Sequence, residues 1–154
     1  REGGYKLDRN IDFDQYSNKA TVFQKDTKNY SITPNTQDLL SAFYYARTLD
    51  LQNAEIGHEF VINTFFDREM YPLKIKFLGR EVVKTKLGKF NCLKFRPMVE
   101  KGRVFKEEED MTLWISDDAN KIPVRLKADL LVGAIKMDLV EHKNLSKVLN
   151  QIDD

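Results

Sequence analysis

The chain has 154 residues, a length that sets one domain as the default and hides roughly 68–70% of the unfolded surface without covalent staples. Hydrophobic residues make up 42%, which excludes a mainly disordered state. Lys and Arg total 25 against 24 Asp and Glu, a net charge of +1, so no broad field attracts nucleic acid or an anionic membrane.

The chain opens Arg1-Glu2-Gly3-Gly4 with neither an initiator Met nor the apolar core of a signal peptide, and so reads as a processed or truncated product. Alternation begins almost at once, with Tyr5, Leu7, Arg9, Ile11 and Phe13 on one parity, the period of a half-buried strand. Asp38 to Leu49 breaks that rhythm and predicts a helix of about three turns. Asn35 or Thr36 is its expected N-cap, with Asp38 at the positive end of the dipole. Leu39, Ala42, Phe43 and Ala46 form a stripe widened by Leu40, Tyr44 and Tyr45, and so broad an apolar surface predicts a helix buried in or against a sheet.

Period two returns for His58–Phe66 and Tyr71–Leu78, joined by Asp67-Arg68-Glu69 as a hairpin. Glu81–Thr85 and Phe90–Pro97 flank a second turn at Leu87-Gly88-Lys89. Glu109–Ile115 and Ile122–Leu130 flank Ser116-Asp117-Asp118-Ala119-Asn120-Lys121, residues that bond to nearby backbone in turns. Gly133 marks the next turn or bulge, before Ile135, Met137 and Leu139 alternate again. Short connections favour antiparallel neighbours. The expected fold is mainly β: a curved antiparallel sheet, barrel-like or a β-roll, with one packed helix, forming a single domain over residues 1–143. Residues 144–154 carry Leu145, Val148, Leu149 and Ile152 at helix-like spacing and read as a tail or short helix.

Reactive constellations are sparse. His58 and His142 lie far apart and Cys92 stands alone, short of the convergent ligands a metal needs. Cys92 sits within an alternating strand, where it reads as a small buried hydrophobe. No nucleophile elbow, phosphate-cradling loop or dinucleotide fingerprint occurs, so no cofactor is expected. Basic residues interleaved with aromatics at Lys74–Phe77 and Lys94–Arg96 read as wet and dry strand faces, not as a nucleic-acid groove. No run approaches the ~18–20 apolar residues of a membrane helix.

Two stretches carry positive signals. Trp114 through Asp118, followed by Ile122-Pro123-Val124-Arg125, reads as a braced turn in which Arg125 reaches Asp117 or Asp118; alternatively Trp114, Arg125 and Arg96 line a groove for an anionic or glycan ligand. Phe105, set among bases in Glu100–Lys106, either anchors its loop or forms a flap over the sheet. Tyr44, on the helix, joins Arg96, Phe105, Trp114 and Arg125 as the candidate ligand-binding set.

Ser41-Ala42-Phe43-Tyr44-Tyr45-Ala46-Arg47, Phe77-Leu78-Gly79-Arg80-Glu81, Gly88-Lys89-Phe90-Asn91-Cys92, Trp114-Ile115-Ser116-Asp117-Asp118 and Ile122-Pro123-Val124-Arg125 occur in this order. Together they resemble a bacterial family filed as domain of unknown function 3108, over about Arg1 to Lys143. The resemblance implies an exported protein of the periplasm or cell envelope, with a secretion signal and further strands ahead of this chain, and a rolled antiparallel fold. It supplies no reaction and no site residues. The expected function is a non-enzymatic envelope domain that binds a lipid-like or glycan ligand or an envelope protein. One rival is an envelope glycan hydrolase using two carboxylates among Glu81, Asp110, Asp117 and Asp118. The other is a structural assembly module that pairs through an exposed strand edge.

Overall fold

The computed structural model describes residues 8–66, 68–98, 111–130 and 132–152. Among these residues the fold is mainly β, antiparallel, with one helix. The chain divides into two compact units, one of residues up to 46 with 62–72, the other of residues 47–61 with 73–154.

In the first unit, β1 (Asn10–Asp14), β2 (Lys19–Phe23) and β3 (Thr27–Ser31) form an antiparallel meander in that order. Its first turn is built by Asp14, whose carboxylate accepts the backbone N–H groups of Tyr16 and Ser17 at 3.0 and 3.1 Å and the Ser17 hydroxyl at 2.5 Å. Asn18 follows at φ 51°, a left-handed position that Asn tolerates. Ala20 and Val22 alternate inward and meet Ile32 and Phe65, with Ile11, Phe13, Tyr30 and Met70 around them. The Phe65 ring meets Phe13 edge-on, centroids 6.1 Å apart, and lies 5.4 Å from Tyr30.

The helix α1 (Leu39–Ala46) is shorter than the sequence predicts. Its N-cap is Asp38, not Asn35 or Thr36: the Asp38 carboxylate accepts the N–H groups of Leu40 and Ser41 at 2.8 and 3.0 Å, the N2 and N3 donors that a cap answers. These bonds, led by that from the Ser41 hydroxyl, hold the Asp38 carboxyl below its ordinary range. The expectation of a broadly buried helix fails. Ala42 is its one buried side chain, while Leu39, Leu40, Phe43 and Tyr44 are exposed. The one fully buried position is the small Ala42, with Ser41, Tyr45 and Ala46 half-buried, and the remaining large apolar side chains face out.

β4 (Glu59–Phe66) and β5 (Glu69–Thr85) flank the predicted hairpin, with Arg68 at φ 72° in the connection. In the second unit β5 is followed in the sheet by β6 (Gly88–Pro97), β7 (Met111–Ser116), β8 (Pro123–Asp129) and β9 (Ala134–Asp138), each antiparallel to the last. Among the described residues the strand order is open, from β4 to β9, with no closure into a barrel. Register shifts at Phe77/Gly79 and Trp114/Ile115 are bulges, which bend strands and increase twist.

Both faces of this sheet are apolar. One buries Phe77, Leu93, Phe95, Leu113 and Ile115 beneath Leu51. The other buries Val83, Phe90, Cys92, Trp114 and Val124 with Leu149. Each large side chain removed from water contributes about 1.5–3 kcal/mol.

Residues 144–152 are neither helix nor frayed. They form an irregular strap ending in β10 (Gln151–Ile152), which pairs with Phe90 and Lys89 on β6. Asn120, only 2% exposed, holds this strap: its amide donates to the carbonyls of Lys147 at 3.0 Å and Val148 at 3.4 Å and accepts the Lys147 N–H at 3.2 Å. Asn150 adds bonds from its backbone N–H to Asp118 at 2.8 Å and from its side chain to the Asp117 carbonyl at 3.0 Å.

Candidate functional site

Three of the five residues singled out from the sequence share one face of the second unit. Antiparallel register places Lys94 on β6 opposite Trp114 on β7, Trp114 opposite Arg125 on β8, and Arg125 opposite Asp138 on β9. Directly paired residues point to the same side, and Arg96 follows Lys94 by two on β6. Glu81, opposite Cys92 on β5, closes the row at its other end. Tyr44 belongs to α1 in the first unit. Phe105, its loop and Asp110 lie outside the described residues.

The row is occupied by its own charges. Arg125 holds Asp138 in a fork, Nε to Oδ1 at 2.6 Å and Nη2 to Oδ2 at 2.9 Å, and also donates to the Lys84 carbonyl at 2.7 Å. The expected pairing of Arg125 with Asp117 or Asp118 is therefore replaced. The forked bond holds the Asp138 carboxyl below its ordinary range and the Arg125 guanidinium above its own. Glu81 accepts from Lys94 at 2.9 Å and from the Trp114 indole N–H at 3.2 Å. These bonds, Lys94 first, hold the Glu81 carboxyl low. Lys94 also sits 5.3 Å from the Trp114 ring centroid, within cation–π range. Both carboxylates therefore contribute stability at neutral pH that is lost as pH falls through their lowered folded-state values.

Trp114 is only 7% exposed, so its ring is packing and not a stacking platform. The braced-turn reading holds for the neighbouring aspartates. Asp118 accepts the Ser116 hydroxyl and the N–H groups of Asn120 and Lys121 at 3.0, 2.8 and 3.2 Å. Asp117 accepts Arg80 Nε at 3.1 Å. Glu81, Asp117 and Asp118 are thus each committed to donors within the fold, and the lowered Glu81 is the reverse of the raised carboxyl a glycosidase acid requires.

Beside the row an open hollow of about 350 Å³ is lined by Arg80, Glu81, Asn91, Cys92, Asp117 and Asn150 among others. None of the predicted ligand-binding residues lines it. Neither the Arg125–Asp138 nor the Arg80–Asp117 pair is legible in the sequence, because each partnership is set by how separate segments meet. Burial pushes the Cys92 thiol up to about 12, away from the thiolate that nucleophilic attack needs. The native protein is accordingly expected to react with a thiol-specific disulfide reagent at pH 8 at least roughly 100-fold more slowly than the urea-unfolded chain. Equal rates would show that Cys92 is accessible.

Among the described residues no group of three or more His, Cys, Asp or Glu is placed to hold a metal ion, and no helix is long and apolar enough to cross a membrane. Comparison with curated proteins and with solved structures gave no match. The sequence does match, over residues 1–140, the family described as "Protein of unknown function (DUF3108)", and with that match spanning most of its length the chain belongs to this family.

Proposed function

We propose that the chain is a non-enzymatic domain of an exported envelope protein, and that it engages a lipid-like component through the outer side of α1. The observation that carries this reading is the exposed apolar helix: Leu40 is 75% and Tyr44 69% exposed, with Leu39 and Phe43 beside them. Leu39 and Phe43, and likewise Leu40 and Tyr44, are four apart, so they stack into one continuous strip. No charged side chain lies between Leu39 and Ala46. An exposed apolar strip of this kind marks an interaction site, and tyrosine suits a boundary where one end is apolar and the other wet.

Two features favour this reading over the glycan-binding and hydrolytic ones: the buried indole of Trp114 and the committed carboxylates on and beside the row. The periplasmic or envelope location is part of the same proposal and rests on the resemblance to exported bacterial proteins. The test is flotation with phosphatidylethanolamine–phosphatidylglycerol vesicles. The wild-type chain is expected to float with the vesicles, and Leu40→Ser with Tyr44→Ser to cut binding at least roughly tenfold, since each buried apolar side chain contributes about 1.5–3 kcal/mol. A wild-type chain that stays unbound, or a double variant that binds equally, overturns the proposal.

A further inference from the structure

The last strand of the main sheet has an outer edge with no partner among the described residues. Its hydrogen-bonding parity follows from the bonds that bracket it. Leu139 N–H donates to Val124 O at 2.8 Å and Leu130 N–H to Gly133 O at 3.0 Å. Bonded and non-bonded pairs alternate along an antiparallel ladder, so Ile135 and Met137 turn their backbone groups toward β8. Ala134, Lys136 and Asp138 turn theirs outward. The edge also exposes apolar side chains, with Ile135 44% and Met137 55% exposed.

We propose that this edge is a self-association site, where β9 pairs antiparallel with β9 of a second copy about a twofold axis at Met137. Charge selects the register. Outward parity allows even-numbered residues to pair as hydrogen-bonded partners. Centring on Lys136 would set Lys136 against its own copy, and like charges directly opposite are destabilising. Centring on Met137 sets Lys136 against Asp138 of the second copy, and Asp138 against its Lys136. The two residues then exchange backbone hydrogen bonds and join opposite charges, twice by symmetry. Asp138 is already anchored by Arg125, and Lys136 lies 3.8 Å from it within one chain, so the second copy's ammonium approaches a fixed carboxylate. Met137 meets Met137 across the axis as a non-hydrogen-bonded pair, covering part of the exposed apolar surface. An edge of five residues falls well short of the ~800 Å² per partner of a standard interface, so the dimer is transient and forms at high protein concentration.

Sedimentation equilibrium of the whole chain across a concentration series tests this, together with oxidative cross-linking. A concentration-dependent dimer is expected, with Lys136→Glu weakening it by at least roughly tenfold by setting acid against acid. Met137→Cys is expected to form a disulfide-linked dimer, because a non-hydrogen-bonded pair holds its Cα atoms about 4.5 Å apart, within disulfide reach. Lys136→Cys, displaced diagonally from its own copy by roughly 7–8 Å, is expected to cross-link poorly. Cys92 is buried and leaves the background low. A chain that stays monomeric throughout, a dimer indifferent to Lys136→Glu, or preferential cross-linking by Lys136→Cys overturns the proposal.

Discussion

Phe77→Ala is expected to destabilise the second unit by about 3–5 kcal/mol, the range for deleting a fully buried aromatic ring. Phe77 has no exposed surface. Its ring lies 5.2 Å from that of Phe95, and the Arg80 guanidinium sits 5.7 Å from its centroid. The substitution therefore removes ring packing, opens a void against Leu51, Leu93 and Phe95, and takes away the surface beneath Arg80. In a chain of this length the melting temperature should drop by on the order of 10 °C. Val148→Ala is the control, since that side chain is 92% exposed and surface changes stay within about 0.5 kcal/mol. Urea unfolding followed by circular dichroism reads both. A Phe77→Ala loss no larger than the control's would mean that this face of the sheet is not the core.

Asp118→Ala is expected to cost about 3 kcal/mol and to loosen the C-terminal strap at the same time. One oxygen of Asp118 serves the Ser116 hydroxyl and the amides of Asn120 and Lys121, and the other accepts the Asn150 amide at 2.8 Å. Alanine leaves several donors unanswered in a partly buried turn, and each such loss approaches the full desolvation cost of the group. Asp118→Asn retains an acceptor oxygen and should fall between alanine and wild type. Amide hydrogen exchange separates this from general destabilisation: protection at Asn150 and Gln151 should disappear in Asp118→Ala under conditions where the β7–β8 ladder stays protected. Unchanged protection at those two amides would show that the strap is held by Leu149 and Asn120 without help from the carboxylate.

The alternating segments were legible because local pattern and final environment agree. Met111–Ser116, Pro123–Asp129 and Ala134–Asp138 form strands where period two predicts them, and Gly133 turns at φ 81°. What escaped was set by events that leave no local period. Tyr71–Leu78 and Glu81–Thr85 are one strand, β5, because a bulge leaves Leu78 unpaired beside Gly79 at φ 118° and shifts the facing parity. A side chain at Gly79 would also meet Ile56 Cδ1 at 3.4 Å. β2 and β3 went unread because they are short and β3 (Thr27–Ser31) is mostly polar. The helix misled by amphipathicity: its inward side carries Ser41, Ala42, Tyr45 and Ala46, so most of its apolar bulk lies on the face left in water. At the candidate site, Trp114 and Arg125 stood out from the sequence, whereas Glu81 as an indole acceptor and Asp138 as the guanidinium partner depend on registers between separate strands.

Chain order gives the strap a further consequence. Leu149 completes the hydrophobic layer around Phe90 and Trp114, and Asn150 supplies donors to Asp117 and Asp118, yet these residues follow every strand they touch. A chain in which β5 through β9 have paired but the strap has not docked still exposes that layer and carries an unfilled ladder position beside Phe90. Such partly assembled states are aggregation-prone, so a chaperone that covers this layer until residues 144–152 dock should raise yield more than one acting at any earlier turn.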